Sequence, residues 1–343
     1  MVQRVLPRTN LTRRALWTGL GAGALASIAP LRAWPQVARR KRRIGVLTWW
    51  PDDDPAGRTQ TAALAEGLAA LGWVEGSNIQ IEYRRGAGEP GRMGWLAKDL
   101  VAQRPDVLVG VATPAVTALL AETKTIPIVF TEVSDPVGTG FVESVAHPGG
   151  NATGFVDIEA SIAGKWVELL REVVPSMTCV GFLFNPRTAP KNGSYYMGAF
   201  EEAARTLAVE PVTAAVSNPA EVGAKVATLA AQGCSGLILM PDSFVLTQRH
   251  LIIAQIAQHA LPAIYPFRFF ATAGGLMSYG ANLAVQNRQA AGYIDRILKG
   301  EKPANLPVQL PTQLELVVNL NTARALGITM SASLLANANL VIE

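Results

Sequence analysis

Residues 106–130 read DVLVGVATPAVTALLAETKTIPIVF. Six residues, 106–111, form a short apolar run bounded by the turn signals Arg104-Pro105 and Thr113-Pro114, which predicts a buried strand. Residues 114–122 carry apolar side chains at helical spacing. Pro114 falls near the first turn, where a missing N–H costs nothing. Residues 126–130 (Ile126-Pro127-Ile128-Val129-Phe130) are again strand-like. Strand, helix and strand within one short segment imply a parallel pair joined by a crossover helix.

The same alternation extends in both directions. Upstream, residues 44–47 read as a strand and 62–71 as a helix stopped by Gly72. Residues 79–83 read as a strand and 93–101 as a helix. Downstream, Pro148-Gly149-Gly150-Asn151 interrupts the pattern, and the switch to a second array is placed over 149–158. The array restarts with a helix over 160–173, a strand over 180–184, a helix over 196–207 and an edge-like strand over 209–216. A helix over 219–231, a strand over 236–240, a helix over 247–259 and a strand over 262–265 follow. A strand at 276–279, a helix at 286–298 and a strand at 315–319 remain. The expected class is α/β, with two Rossmann-like lobes built on parallel sheets and joined by several crossings of the chain.

Composition narrows the function. Of 343 residues, 49% are hydrophobic and 16% charged, so the chain can bury a large core. The net charge is +4, but residues 1–33 hold Arg4, Arg8, Arg13, Arg14 and Arg32 and no acid. Removing those five charges leaves a body at −1, with no electrostatic footprint for nucleic acid. Residues 1–35 read as an export signal. Arg13-Arg14 precedes a weakly apolar stretch, 15–29, that is too short to span a membrane comfortably, and the pair resembles a twin-arginine motif. Cleavage is expected between residues 29 and 38, giving a periplasmic protein. No Cys lies near that site to carry a lipid anchor. Cys179 and Cys234 each precede a predicted strand. An exported chain permits a bridge between them, but spacing does not establish one, and two buried thiols are the expectation.

In open α/β sheets ligands sit beyond the carboxyl ends of the strands. In the first array those positions hold Thr48, Trp49, Thr113, Pro114, Thr131, Ser134 and Asp135. In the second they hold Asn185, Asp242, Ser243, Tyr265 and Phe267. Hydroxyls, amides, carboxylates and aromatics together suit a small-molecule cleft. The helix opened by Thr113-Pro114 can receive a carboxylate at its free N–H groups, or Thr113 can simply cap it. Asp242 can pair with a ligand ammonium or cap a helix. Trp49, Tyr265 or Phe267 would cover an apolar body. No Walker, GxSxG or HExxH motif occurs, and GLGAGA near Gly19 lies in the signal rather than after a strand. His147, His250 and His259 are scattered, so no metal, cofactor or catalytic group is assigned.

Two groups of residues carry a family likeness. One is the run 126–130, Ser134-Asp135-Pro136-Val137 and His147-Pro148-Gly149-Gly150-Asn151-Ala152-Thr153-Gly154. The other is Ile297-Leu298-Lys299-Gly300-Glu301-Lys302-Pro303, Leu306-Pro307-Val308-Gln309, 316–320 and 323–327. Together they resemble the ABC transporter substrate-binding proteins related to tryptophan and tyrosine binders, over residues 43–343. The resemblance implies a periplasmic-binding fold of the first type, with a three-segment hinge that closes on the ligand. It also implies that the strand–helix unit after residue 275 returns to the first lobe. The expected lobes are thus 43–157 with 275–305, and 158–274 with 306–343. The implied ligand is an aromatic or related amino acid or a small carboxylate, and the implied partners are an ABC permease and its ATPase, with the chain itself a monomer. His147 stands where the family usually has Arg, and Trp49 puts bulk where a small residue is common. A receptor-docking sensor and an exported α/β enzyme are the competing readings.

Overall fold

The computed structural model describes residues 40–343; the export signal expected over residues 1–35 lies outside them. The first sheet is built from β1 (Arg42–Thr48), β2 (Ile79–Arg85), β3 (Val107–Val111), β4 (Ile128–Val133) and β5 (Ala152–Val156). They pair in the order β2-β1-β3-β4-β5, all parallel. Helices α1 (Pro55–Ala70), α2 (Pro90–Ala102) and α3 (Thr113–Glu122) make the crossovers. Val107, Leu108 and Val109 are fully buried, as a strand covered on both faces requires.

The second lobe holds α4 (Ile162–Val173), β6 (Cys179–Phe184), α5 (Ser194–Thr206), β7 (Glu210–Ala215), α6 (Pro219–Ala231) and β8 (Gly236–Leu239). It continues through α7 (Ser243–Thr247), α8 (Arg249–Gln258), β9 (Ala263–Tyr265), α9 (Arg268–Thr272) and β10 (Met277–Ala281). After α10 (Leu283–Leu298) come β11 (Leu314–Asn319), α11 (Leu320–Ala325), α12 (Ala332–Ala336) and β12 (Leu340–Ile342). The sheet runs β12-β11-β10-β9-β8-β6-β7, with β10 and β11 as its antiparallel pair. Trp166 of α4 is fully buried against Phe182 and Tyr196, so the second core is rich in aromatics.

The chain passes between the sheets three times, after β5, after β10 and after α10. The boundary expected at residue 275 falls one strand early. β10 stays in the second sheet, where it pairs with β9 (Met277↔Ile264) and with β11. α10 returns to the first lobe, and so does the segment 303–309 behind it, where Phe155 bridges Gln309 and Thr153 Oγ1 donates to the Leu306 carbonyl. There Gly67 of α1 allows close approach: a Cβ on it would sit 2.5 Å from the Arg288 carbonyl oxygen. On the other side of the helix, Gln286 Nε2 donates to the Val156 carbonyl at 2.8 Å.

The two free thiols expected for Cys179 and Cys234 are replaced by a disulfide, with Cα atoms 4.4 Å apart. The reason is register. β6 and β8 are parallel neighbours that pair Val180 with Gly236, so the residues just before that pair are brought side by side.

Candidate functional site

The carboxyl ends of both sheets face one narrow cavity between the lobes, with about 20 Å³ of free volume. From the first lobe come Trp49 and Trp50 after β1, Ala112 and Thr113 after β3, Glu132 and Ser134 around the end of β4, and Asp157 after β5. From the second come Thr188, Pro190, Pro241, Asp242, Ser243 and Leu246. Of the residues expected from sequence, the cavity therefore brings together Trp49, Thr113, Ser134, Asp242 and Ser243.

Backbone geometry aims several of these groups. Ala112 has φ +75° and caps α3 without a side-chain hydrogen bond; its carbonyl takes the Ala115 and Val116 N–H groups and Pro114 has none, so Thr113 N–H is the one left in the first turn. Thr113 is thus the first helical residue rather than the cap. Glu132 has φ +59°, and the β4–β5 register shifts between Phe130 and Val133. Non-glycine residues in this left-handed region are strained by about 1–3 kcal/mol, which the surrounding structure must hold in place. Here the irregularity turns a carboxylate out of an otherwise apolar strand into the cleft.

Glu132 is buried. Trp50 Nε1 donates to its Oε2 at 2.9 Å and Asn287 Nδ2 to its Oε1 at 3.4 Å. Burial pushes its pKa up from 4.5 to about 7, against the pull of the Trp50 bond, and the nearby Asp157 charge adds to the rise. Asp157 is buried too and is likewise pushed up by desolvation to about 7; the Ser134 hydroxyl and the Ile158 N–H, which donates at 2.7 Å, act in the opposite sense. Neither carboxylate is within ion-pair distance of a Lys, Arg or His among the described residues, and no basic side chain lines the cavity. Three buried acids beside two indoles form a site that lacks a cation.

Asp242 is the third acid, and its oxygens are already engaged. Oδ1 accepts from Phe244 N (2.9 Å), Val245 N (3.0 Å) and Thr188 Oγ1 (2.9 Å), and Oδ2 from Asn185 N (3.0 Å). It caps α7 and ties the end of β6 to the end of β8 while lining the cavity. Burial raises its pKa to about 6 in spite of those bonds.

The other expected residues lie elsewhere. Tyr265 is buried inside the second lobe, stacked on Phe270 at 5.2 Å. Phe267 lines a separate cavity with Phe269 and Gln60. Tyr265 ends β9 and Phe267 caps the short α9, and neither ring reaches the cavity beyond the strand ends: Tyr265 packs on Phe270, while Phe267 faces α1 through the separate cavity. Thr131 Oγ1 donates to Asn287 Oδ1 and holds α10 in place. Thr48 Oγ1 accepts from Trp50 N. Asp135 accepts from Gly138 N and reaches Lys191 Nζ at 3.3 Å. Asn185 accepts from Arg187 N and faces a neighbouring pocket, while Pro114 serves only to open α3. Trp50 and Glu132 also stand at strand ends but lie outside the expected set, and sequence reasoning missed Asp157, Thr188, Pro190 and Leu246. Glu132 carried a readable signal, a carboxylate next to the apolar run Ile128-Val129-Phe130. Asp157 did not, because β5 was read as part of a break.

Across the cleft, Trp49 Nε1 donates to the Ser243 carbonyl at 2.9 Å, and Asp54 pairs with Arg249 at 2.7 Å. The two lobes are therefore in contact around the cavity. Among the described residues no three His, Cys, Asp or Glu side chains gather to hold a metal ion. Nor is any helix there long and apolar enough to cross a membrane.

A family model described as ABC transporter substrate binding protein matches residues 52–342. A tyrosine-binding protein of Clostridioides difficile (strain R20291) is 25% identical over 292 residues, which is 84% of this chain and 82% of that protein. A conserved domain protein of Vibrio cholerae O1 biovar eltor (strain N16961) superposes with a TM-score of 0.82 at 31% identity, covering 88% of this chain and all of that one. The ABC domain solved in complex with L-Trp from Streptococcus pneumonia also gives 0.82, at 26% identity and the same coverage.

Proposed function

Because the chain belongs to the ABC transporter substrate-binding proteins, a family of binding proteins and not of enzymes, we propose that it captures an aromatic amino acid between its lobes. In this reading the closed form hands the ligand to an ABC permease driven by its ATPase, outside the cytoplasm. The observation that carries the reading is the charge of the cavity. Glu132 and Asp157 are buried without a cationic partner, on a wall that also presents Trp49 and Trp50. A buried carboxylate without a counter-ion is costly, and a ligand ammonium removes that cost. The first turn of α3 offers the Thr113 N–H and the positive end of a helix dipole to the ligand carboxylate. The indoles suit a flat apolar body. The relatives that bind tyrosine or L-Trp support this ligand class.

Isothermal titration of the mature protein with L-tryptophan, L-tyrosine, benzoate and a hexose tests the proposal. Saturable binding of either amino acid, with unmodified ligand recovered afterwards, is expected. Binding of benzoate or the sugar alone would refute it, because neither carries a cation.

A further inference from the structure

Arg249 opens α8 in the second lobe, yet its charge is satisfied by the first. Nη1 and Nη2 meet Asp54 Oδ2 and Oδ1 at 2.7 and 3.0 Å, with both side chains under a tenth exposed. Nη1 also donates to the carbonyl of Leu246, a cavity residue. The guanidinium carbon lies 5.8 Å from the Trp50 ring centroid and 5.6 Å from that of Phe269, and these two rings meet edge to face at 5.7 Å. On the first-lobe side Trp50 rests on Gly57 of α1, where an added Cβ would come within 2.6 Å of the Trp50 Cβ. The indole is thus clamped by one lobe through Gly57 and by the other through Arg249 and Phe269. Its only polar group, Nε1, is the donor that holds Glu132 Oε2.

We infer that Arg249 is a positioning residue for the ligand's ammonium. Reaching across the cleft, it fixes Asp54 and the Trp50 ring, and Trp50 in turn aims the Glu132 carboxylate. The inference rests on the amino-acid reading above and adds to it a link between closure and recognition. Asp54 keeps its bonds to Ala56 N and Gly57 N whether or not Arg249 is present, because both belong to α1. Separating the lobes therefore leaves α1 capped but strips the cover from one face of Trp50. Glu132 then keeps the longer Asn287 contact but loses the fixed Trp50 donor that aims its Oε2. An ion pair this buried is a weak source of net stability. Its forked geometry and its place over the ring are what a lysine at 249 would not reproduce in full.

The test compares L-tryptophan with indole-3-propionate, which has the same ring and a carboxylate but no ammonium, on wild type, Arg249→Gln, Arg249→Lys and Trp50→Phe. The expected result is a drop of about tenfold in the preference for L-tryptophan in Arg249→Gln, the scale of one hydrogen bond to a charged group, and a partial return in Arg249→Lys. Trp50→Phe keeps the Asp54–Arg249 pair and a ring over Gly57 but removes the Nε1 donor, so the same selective loss is expected there. It also serves as the reporter if Arg249→Gln does not fold. Equal weakening of both ligands in Arg249→Gln would mean that Arg249 only holds the lobes together, and would overturn the inference. An unchanged preference in Trp50→Phe would overturn it as well. A wild type that binds neither L-tryptophan nor L-tyrosine refutes the underlying reading, and this inference with it.

Discussion

Replacing Glu132 by Gln separates what the site costs the fold from what it gives the ligand. In the unfolded chain the Glu132 carboxyl titrates near 4.5, whereas in the folded protein burial holds its proton up to about pH 7. Between those values the folded state binds more protons than the unfolded one. Stability from this group therefore falls as pH rises from about 4.5, and the full penalty is present above about 7. The shift corresponds to about 3 kcal/mol. Gln cannot ionise, but it can still accept the Trp50 Nε1 bond. From about pH 4 to about pH 8, ligand-free wild type should lose about 3 kcal/mol more than Glu132→Gln. At the acid end the two should differ little. Asp157 titrates in both proteins, so it contributes a decline common to the two. Urea unfolding of the ligand-free proteins across that range measures the difference directly. Titration with L-tryptophan at about pH 8 should show the reverse ranking, with Glu132→Gln weaker by about tenfold or more. Parallel stability–pH curves for wild type and variant would refute the reasoning, because they would mean that Glu132 is not buried as a neutral acid.

Two further outcomes follow from the structure. Alkylation without reductant should leave Cys179 and Cys234 unmodified, and reduction should lower stability by about 4 kcal/mol, the chain-entropy scale for a separation of 55 residues; two modified thiols before reduction would exclude the bridge. Asp242→Ala removes an acceptor that serves four donors and caps α7, so unfolding should show a loss of about 2–4 kcal/mol, which an unchanged melting curve would contradict.

The lobes could be read from sequence because the strands of a parallel sheet are covered on both faces and appear as short apolar runs between amphipathic helices, as in 107–111 and 128–133. The fifth strand of each lobe was harder. β5 contains Thr153 and Gly154, and its neighbouring Pro and Gly residues read as a break, although a Cβ on Gly154 would come 2.1 Å from the Phe130 carbonyl oxygen and the residue is there for close pairing. β10 reads equally well as a strand of either lobe, because a strand's own residues do not say which sheet it joins. Its assignment rests on pairing with β9 and β11. At the site, the rule that ligands sit beyond strand ends located the cavity but did not select its walls. Trp49, Thr113 and Ser134 point in, while Tyr265, the last residue of β9, and Phe267, the cap of α9, turn away. Side-chain direction at a strand end depends on the loop that follows, and no periodicity encodes it. The disulfide was hidden for a similar reason, since it depends on β6 lying next to β8.

The costs gathered around the cavity have a common direction. Ala112 and Glu132 both take left-handed backbone at adjacent strand ends, and Glu132 and Asp157 are both buried without a counter-ion. None of these arrangements stabilises the empty protein, and each is held by structure outside the cavity: Asn287 of α10 for Glu132, the Ile158 N–H for Asp157, and parallel pairing of β3 with β4 for Ala112, whose N–H bonds the Thr131 carbonyl. A ligand bearing an ammonium and a carboxylate offsets both electrostatic costs at once, the first at the acids and the second at the first turn of α3. A ligand with only one of these charges relieves only one. Under the proposed function, selectivity for a zwitterion would follow from how the empty site is destabilised as well as from the contacts made on binding. In that proposal the first lobe, which supplies both left-handed residues and both unpaired acids, would set the ligand's chemical class, and the second lobe, through Arg249, Ser243 and Asp242, the geometry in which that class is read.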